Sequence, residues 1–197
     1  MTAWLQRQVN RVVTTAYRRV FLMVHDLRPL PGVPSDPIRL TWLSSADLDA
    51  YLAFRPRANA HDIGRRFSRG DQACAAWIGD RIVHVAWMAT GRGPAPYLRR
   101  DLALAEGEAM IFDSFTIDAF RRRGITRARM AFVIDELKRR GQHCCICIVA
   151  VENTSGYRTL LAHGYRPAGR YVALGVGRSG ACWATSADLP ALLPPRP

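Results

Sequence analysis

The stretch of this sequence richest in chemistry is Arg121-Arg122-Arg123-Gly124-Ile125-Thr126. An apolar segment, Ala109 to Ile117, reads as a strand before it, and a helical pattern runs from Gly124 to Arg140 until Gly141 stops it. A turn that opens a helix offers free backbone N–H groups and the positive end of the helix dipole, which together attract an anion. Gly124 has no Cβ, so a phosphate can come close to the backbone, and three guanidiniums add charge. Pyrophosphate binding is the chemistry that fits. The alternative is a glycine that eases a tight turn beside solvated arginines. A second segment, Asn153-Thr154-Ser155-Gly156-Tyr157, opens another helix that ends at Gly164-Tyr165. Asn153 is a good cap and the glycine a good stop, so this segment also has a purely local explanation.

Three titratable residues are candidates for moving a proton. Asp113 interrupts an apolar strand, where a carboxylate needs a purpose or a partner. Glu108 stands at the entrance of that strand, and His84 lies in an earlier one with an ordinary pKa suited to proton transfer near neutrality. Cys144, Cys145 and Cys147 crowd into the apolar run Gln142 to Val151. With only His143 close by in sequence, they read as buried thiols, and no metal is expected.

The elements that must position these residues follow from periodicity and punctuation. Strands are expected at Ile38–Leu43, Gln72–Ile78, Arg81–Ala89, Ala109–Ile117, Gln142–Val151, Tyr171–Val176 and Ala181–Thr185. Gly79-Asp80 joins the second and third as a hairpin. Helices are expected after the caps Ser44 or Ser45, over Ala60–Phe67, over Gly124–Arg140 and over Thr154–His163. Residues 91 to 107 read as a loop. Strand pairs followed by strand–helix–strand–helix–strand indicate an α/β layer around a mixed sheet. At the N-terminus, Leu5, Val9, Val12, Val13, Ala16, Tyr17, Val20, Phe21 and Val24 recur at helical spacing, with Arg7, Arg11 and Arg18 opposite. This predicts a basic amphipathic helix over 3–27, able to pack on the domain or to lie on an anionic membrane. The expected organisation is that helix and a Pro-rich connector over 1–37, a domain over 38–186, and a mobile Pro-rich tail over 187–197.

Taken together, the two glycine-punctuated segments resemble the GNAT superfamily of acyl-CoA-dependent N-acyltransferases. Arg121-x-x-Gly124-x-Thr126 is similar to its R/Q-x-x-G-x-G/A loop, and Asn153 through Gly164-Tyr165 to its later Asn-to-Gly-Phe segment at the same spacing. The resemblance spans Ile38 to Thr185 and implies a mixed, mostly antiparallel sheet flanked by helices, with acetyl-CoA or another acyl-CoA as co-substrate. It also implies that the backbone of Phe115, Thr116 and Ile117 binds the pantetheine arm. The loop Arg121, Arg122, Arg123, Gly124, Ile125 and Thr126 would hold the pyrophosphate, and Asn153 the pantetheine or acyl end. Two departures stand out. Thr126 occupies a place for glycine or alanine, and Leu160 falls where the family often has a tyrosine that protonates the leaving thiolate. Tyr157, one helical turn earlier, is the candidate substitute.

Composition limits the partners without choosing one. The 197 residues carry a formal charge of +12, with Lys138 the sole lysine, and the arginines spread along the whole chain. Such a surface suits any polyanion, so nucleic acid is possible without being favoured over coenzyme A or an anionic membrane. An odd five cysteines argue against a disulfide framework, and no apolar run approaches the ~20 residues needed to span a bilayer. The expected location is the cytoplasm, with peripheral membrane contact through the N-terminal helix as an option. The expected reaction is acyl transfer from coenzyme A to a small primary amine. The alternatives are an acyltransferase acting on protein or aminoacyl-tRNA, and an acyl-CoA-binding module without turnover.

Overall fold

Strands rich in Val, Ile, Ala and Cys on both faces belong in the middle of a covered sheet, and this chain builds one. The structure is a computed structural model, and it describes residues 17–30, 38–176, 179–185, 189–191 and 193. Eight strands form the main sheet in the order β10-β9-β1-β8-β7-β4-β3-β2. They are β1 (Tyr17–His25), β2 (Arg39–Leu43), β3 (Gln72–Ile78), β4 (Arg81–Thr90), β7 (Glu108–Thr116), β8 (Cys144–Ala150), β9 (Arg166–Val176) and β10 (Ser179–Ala184). Neighbours pair antiparallel except β7 and β8, which run parallel. A separate hairpin, β5 (Arg92–Ala95) and β6 (Arg100–Ala103), occupies part of the segment expected to be a loop.

Helices cover both faces. On one, α3 (Ile125–Arg139) presses Met130, Val133, Ile134 and Leu137 onto Ala86, Ile111, Cys145 and Cys147, and α4 (Thr154–Ala162) adds Leu160. On the other, α1 (Leu48–Phe54) and α2 (Ala60–Ser68) place Tyr51, Phe54 and Ile63 against Val85 and Trp87. The β5–β6 hairpin continues that second layer, setting Ala95, Leu98 and Leu102 against Val20, Met110 and Ile146. The approach is close: a Cβ on Gly93 would come within 2.4 Å of the Met110 sulfur. Of the two expected caps Ser44 is the one used, and it forms a capping box with Asp47 on the way to α1.

The N-terminal helix expectation is corrected over 17–25, which is strand β1 in the interior of the sheet, between β8 and β9. The cause is the run Val20-Phe21-Leu22-Met23-Val24. A continuous apolar run satisfies a helical stripe and a strand buried on both faces equally well. Val20, Leu22 and Met23 are at most 1% exposed, so these side chains are committed to the core. The rest of the expected helix, 3–16, and the connector residues 31–37 lie outside the described residues. Part of the expected mobile tail is strapped down instead: the Tyr171 hydroxyl donates to Pro190 O at 2.6 Å, and Ala103 N donates to Ala191 O at 2.8 Å. Among the described residues no helix is long and apolar enough to cross a membrane.

Candidate functional site

A cleft of about 1450 Å³ opens where β7 and β8 part. The two strands pair only at Glu108/Cys144, Ala109/Cys145 and Met110/Ile146. Past that point each keeps its outer neighbour, β4 or β1, and the inner edges separate. Two features widen the gap. A bulge sets Asp113 and Ser114 opposite the single residue Ala86, since Val85 pairs with Phe115 and Trp87 with Phe112. Asp113 takes a left-handed backbone with φ 46°. The alternation beyond the bulge is fixed by Ile117, whose N–H donates to Val83 O at 3.0 Å. Phe115 and Ile117 therefore face β4, and Ser114 and Thr116 turn their backbone groups to the cleft. The Arg121 Nε reaches Thr116 O at 3.4 Å from the cleft side, as this requires.

At one end of the cleft lies the start of α3. Gly124 is the N-cap with φ 72°, a conformation that a residue with a Cβ strains to adopt, and it makes no side-chain cap. The first N–H groups of α3 therefore point out of the helix with no partner within it. Arg121, Arg122, Gly124, Ile125 and Thr126 line the cleft. Arg123 does not; it stacks on Phe120 at 5.2 Å. Asn153 lines the opposite wall and caps α4 by accepting from Gly156 N at 2.9 Å. Phe115 and Thr116 also line the cleft, and Ile117 does not.

The residues expected to move protons sit elsewhere or are otherwise engaged. Tyr157 packs against Phe21 of β1, ring centroids 4.9 Å apart, and leaves the cleft wall to Leu160. Glu108 stands at the far end of β7, roughly 25 Å of strand from Thr116, and accepts from Ala105 N at 2.9 Å. Its carboxylate lies with His143 and Cys144 in a group whose ligand atoms fall within 4.8 Å of one another, away from the cleft. Asp113 does line the cleft, but its two oxygens accept from Arg55 Nη1 and Arg66 Nη1, each at 2.6 Å. Both oxygens are taken, which makes it an anchor for two guanidiniums.

His84 is wholly buried and belongs to a polar chain beneath the cleft. Arg129 Nε donates to His84 Nε2 at 3.3 Å, so the ring proton is on Nδ1, 2.7 Å from the Thr116 hydroxyl. Burial, reinforced by the Arg129 charge, lowers the His84 pKa to about 3 and keeps the ring neutral. Arg129 is 4% exposed and lines the cleft, and its other contact is the Met130 sulfur at 3.4 Å. Among the described residues no carboxylate pairs with it. A buried guanidinium without a counter-ion costs several kcal/mol unless a ligand supplies one.

Sequence reasoning passed over Arg129 and His163. For Arg129 the available signal is its place in the helical stripe with Met130 and Val133. His163 ends α4 and lines the cleft. Its Nδ1 lies 2.6 Å from Thr159 O, which can only accept, so Nε2 carries the free lone pair. Burial lowers its pKa, opposed by the Thr159 carbonyl and assisted by Arg129 and Arg127.

No family model matches the sequence, and no curated protein matches it. Solved structures do. An acetyltransferase from the GNAT family of Colwellia psychrerythraea aligns at TM-score 0.59 and 14% identity, covering 87% of this chain and 61% of that one. A conserved protein of unknown function from Staphylococcus epidermidis aligns at 0.58 and 14%, covering 89% and 69%. The ribosomal-protein-S18-alanine N-acetyltransferase of Escherichia coli aligns at 0.52 and 16%, covering 66% and 77%. This chain thus spans less than two-thirds of the Colwellia protein. At these identities the likeness is one of fold: this chain has the fold of these GNAT-family acetyltransferase structures.

Proposed function

We propose that the protein is an N-acyltransferase that moves an acetyl or other acyl group from coenzyme A to a primary amine of a small molecule. The observation that carries this reading is the cleft itself. It runs along a parted strand pair from a left-handed glycine at a helix start, past a buried guanidinium lacking a carboxylate, to a wall of α1, α2 and the β5–β6 hairpin. The α3 N–H groups and the Arg122 side chain suit a pyrophosphate, with Arg129 as a buried counter-charge for an anionic part of the same ligand. Backbone groups of Ser114 and Thr116 suit the amides of a pantetheine arm, and Asn153 faces them across the gap.

The reaction joins the amine nitrogen to the thioester carbonyl carbon and breaks the carbon–sulfur bond. The nitrogen loses a proton, the carbonyl oxygen passes through an oxyanion, and coenzyme A leaves as thiol or thiolate. The Ser114 N–H, at the bulge, suits that oxyanion, while the Ser114 carbonyl and the Thr116 backbone remain for the pantetheine amides. His163 Nε2 accepts the amine proton, directly or through one water. The thiolate leaves without help from Leu160, since a thiol of pKa about 8.5 departs readily near neutrality.

Release of free thiol from acetyl-CoA, followed over a panel of amines, tests the reading. The expected outcome is amine-dependent release with a kcat/KM that falls as pH drops below about 6.5, because burial sets the His163 pKa beneath the histidine value. His163→Gln should lower kcat/KM about a hundredfold and remove that limb of the profile. Amine-dependent release with an unchanged profile in the variant would remove His163 from the mechanism. No release with any small amine, together with acylation of a protein N-terminus, would shift the reading to the activity named for the Escherichia coli neighbour.

A further inference from the structure

The cofactor half of the cleft ends at Gly124; the other half is walled by arginine. On the side formed by α1, α2 and the β5–β6 hairpin, Arg55, Arg65, Arg66, Arg69, Arg99 and Arg100 line the cleft against three aspartates, Asp62, Asp101 and Asp113. Two of the six are held in place from several directions. Arg66 lies over the rings of Trp87 and Phe112, at 5.0 and 5.4 Å, and Arg55 lies over Phe115 at 5.1 Å. Each gives one nitrogen to Asp113.

The bulge explains how they meet. Regular alternation would put Asp113 on the face of Ile111, under α3 and α4. The extra residue and the left-handed backbone turn its carboxylate to the opposite face, between two guanidiniums. A non-glycine residue held in that conformation is strained, and such strain collects at functional sites. One carboxylate offsets one of the two charges. Each guanidinium has five N–H donors, so donors remain after Asp113 is satisfied. The side chains of Arg55 and Arg66 are 32% and 24% exposed, and both line the cleft. Planar cations fixed on aromatic faces beside an opening suit carboxylate or phosphate.

We infer that this wall receives an oxyanion, a carboxylate or a phosphate, carried by the acyl acceptor itself, which is therefore an anionic amine. The inference rests on the acyltransferase reading above. It has a second consequence. An amine brought beside guanidiniums is easier to deprotonate, because like charge disfavours the ammonium form. The oxyanion anchors the acceptor while the same charges favour its nucleophilic state. A polyamine or a lysine-rich peptide, by contrast, is repelled.

Matched amine pairs test this, with thiol release from acetyl-CoA as the readout. Glucosamine 6-phosphate against glucosamine probes phosphate, and an amino acid against its amide probes carboxylate. The anionic member of at least one pair should have a kcat/KM about tenfold higher or more, with the preference shrinking as salt is raised. Arg66→Gln should raise KM for the anionic member about tenfold, barely change KM for the neutral one, and leave the acetyl-CoA Kd unchanged. Arg65→Gln, at a more exposed position paired with Asp62, provides a milder version of the same split should the first variant fold poorly. Equal or better use of the neutral members, or an equal loss on both members in the variants, would overturn the inference. Acetyl-CoA binding with neutral preference overturns this inference alone, whereas failure to bind acetyl-CoA overturns the acyltransferase reading with it.

Discussion

Burying the Arg129 guanidinium beside a neutral histidine and a thioether costs the fold stability that an anionic ligand can return. Arg129→Met should therefore weaken acetyl-CoA binding about tenfold or more while leaving the thermal midpoint unchanged or raised. Calorimetry and thermal unfolding of the same pair of proteins check this. A lower midpoint with unchanged affinity would make Arg129 a structural residue. At this scale the sequence was legible where a residue acts within its own few residues of chain. Gly124 and Asn153 stand as read, at a left-handed helix start and as an α4 cap. It was illegible where a role depends on a neighbour distant in sequence. Asp113 reads as a lone carboxylate in a strand until the bulge brings Arg55 and Arg66 to it, from 58 and 47 residues away. Tyr157 reads as facing the cleft until β1, whose strand character the sequence concealed, supplies Phe21 to pack against.

Among the elements, β4 and β1 each carry a histidine that the fold keeps uncharged. Burial lowers the pKa of His84 to about 3 and also lowers that of His25, where Asp26 partly opposes it. In the unfolded chain both titrate near 6.5. A depressed pKa in the folded state means that the unfolded state binds more protons once pH falls below 6.5. Stability is thus full above about pH 6.5 and declines below it, by up to about 1.4 kcal/mol per pH unit for each such histidine. Urea midpoints at pH 7.5 and pH 5 should show the decline, and His84→Asn should flatten it. A midpoint independent of pH across that window would contradict the assignment. The elements themselves were mostly legible: β2 to β4, β7, β8 and α1 to α4 lie within a few residues of expectation, because caps, glycines and alternation agree there. β1 and the β5–β6 hairpin were not. The first is an apolar run without a period of its own, and the second is built around Pro94 and Pro96, which read as loop punctuation.

At the scale of the whole molecule β1 holds the sheet together. It pairs with β8 along one edge and β9 along the other, so among the described residues it is the strand that connects β9 and β10 to the rest of the sheet. A chain beginning at Ile38 would expose the edges of β8 and β9 and lose Val20, Leu22 and Met23 from the core. Such a truncation should fail to give a cooperative thermal transition where the full chain does. A truncated protein that melts at the same temperature would show that 38–186 is an autonomous domain after all. The charge of +12, ambiguous in the sequence, becomes informative once the fold gathers arginines at both ends of one cleft.

Calorimetric titration of acetyl-CoA into the wild-type protein and Gly124→Asp probes the proposed binding of an acyl-CoA at the start of α3. A carboxylate there would repel a pyrophosphate, and a Cβ strains the 72° backbone; Gly124→Ala, with the strain but not the charge, separates the two effects. Micromolar binding to wild type, weaker binding to Gly124→Ala and none to Gly124→Asp are expected, with all three proteins folded. Equal affinity for wild type and Gly124→Asp, or no binding of any acyl-CoA to the folded wild type, would contradict the proposed binding.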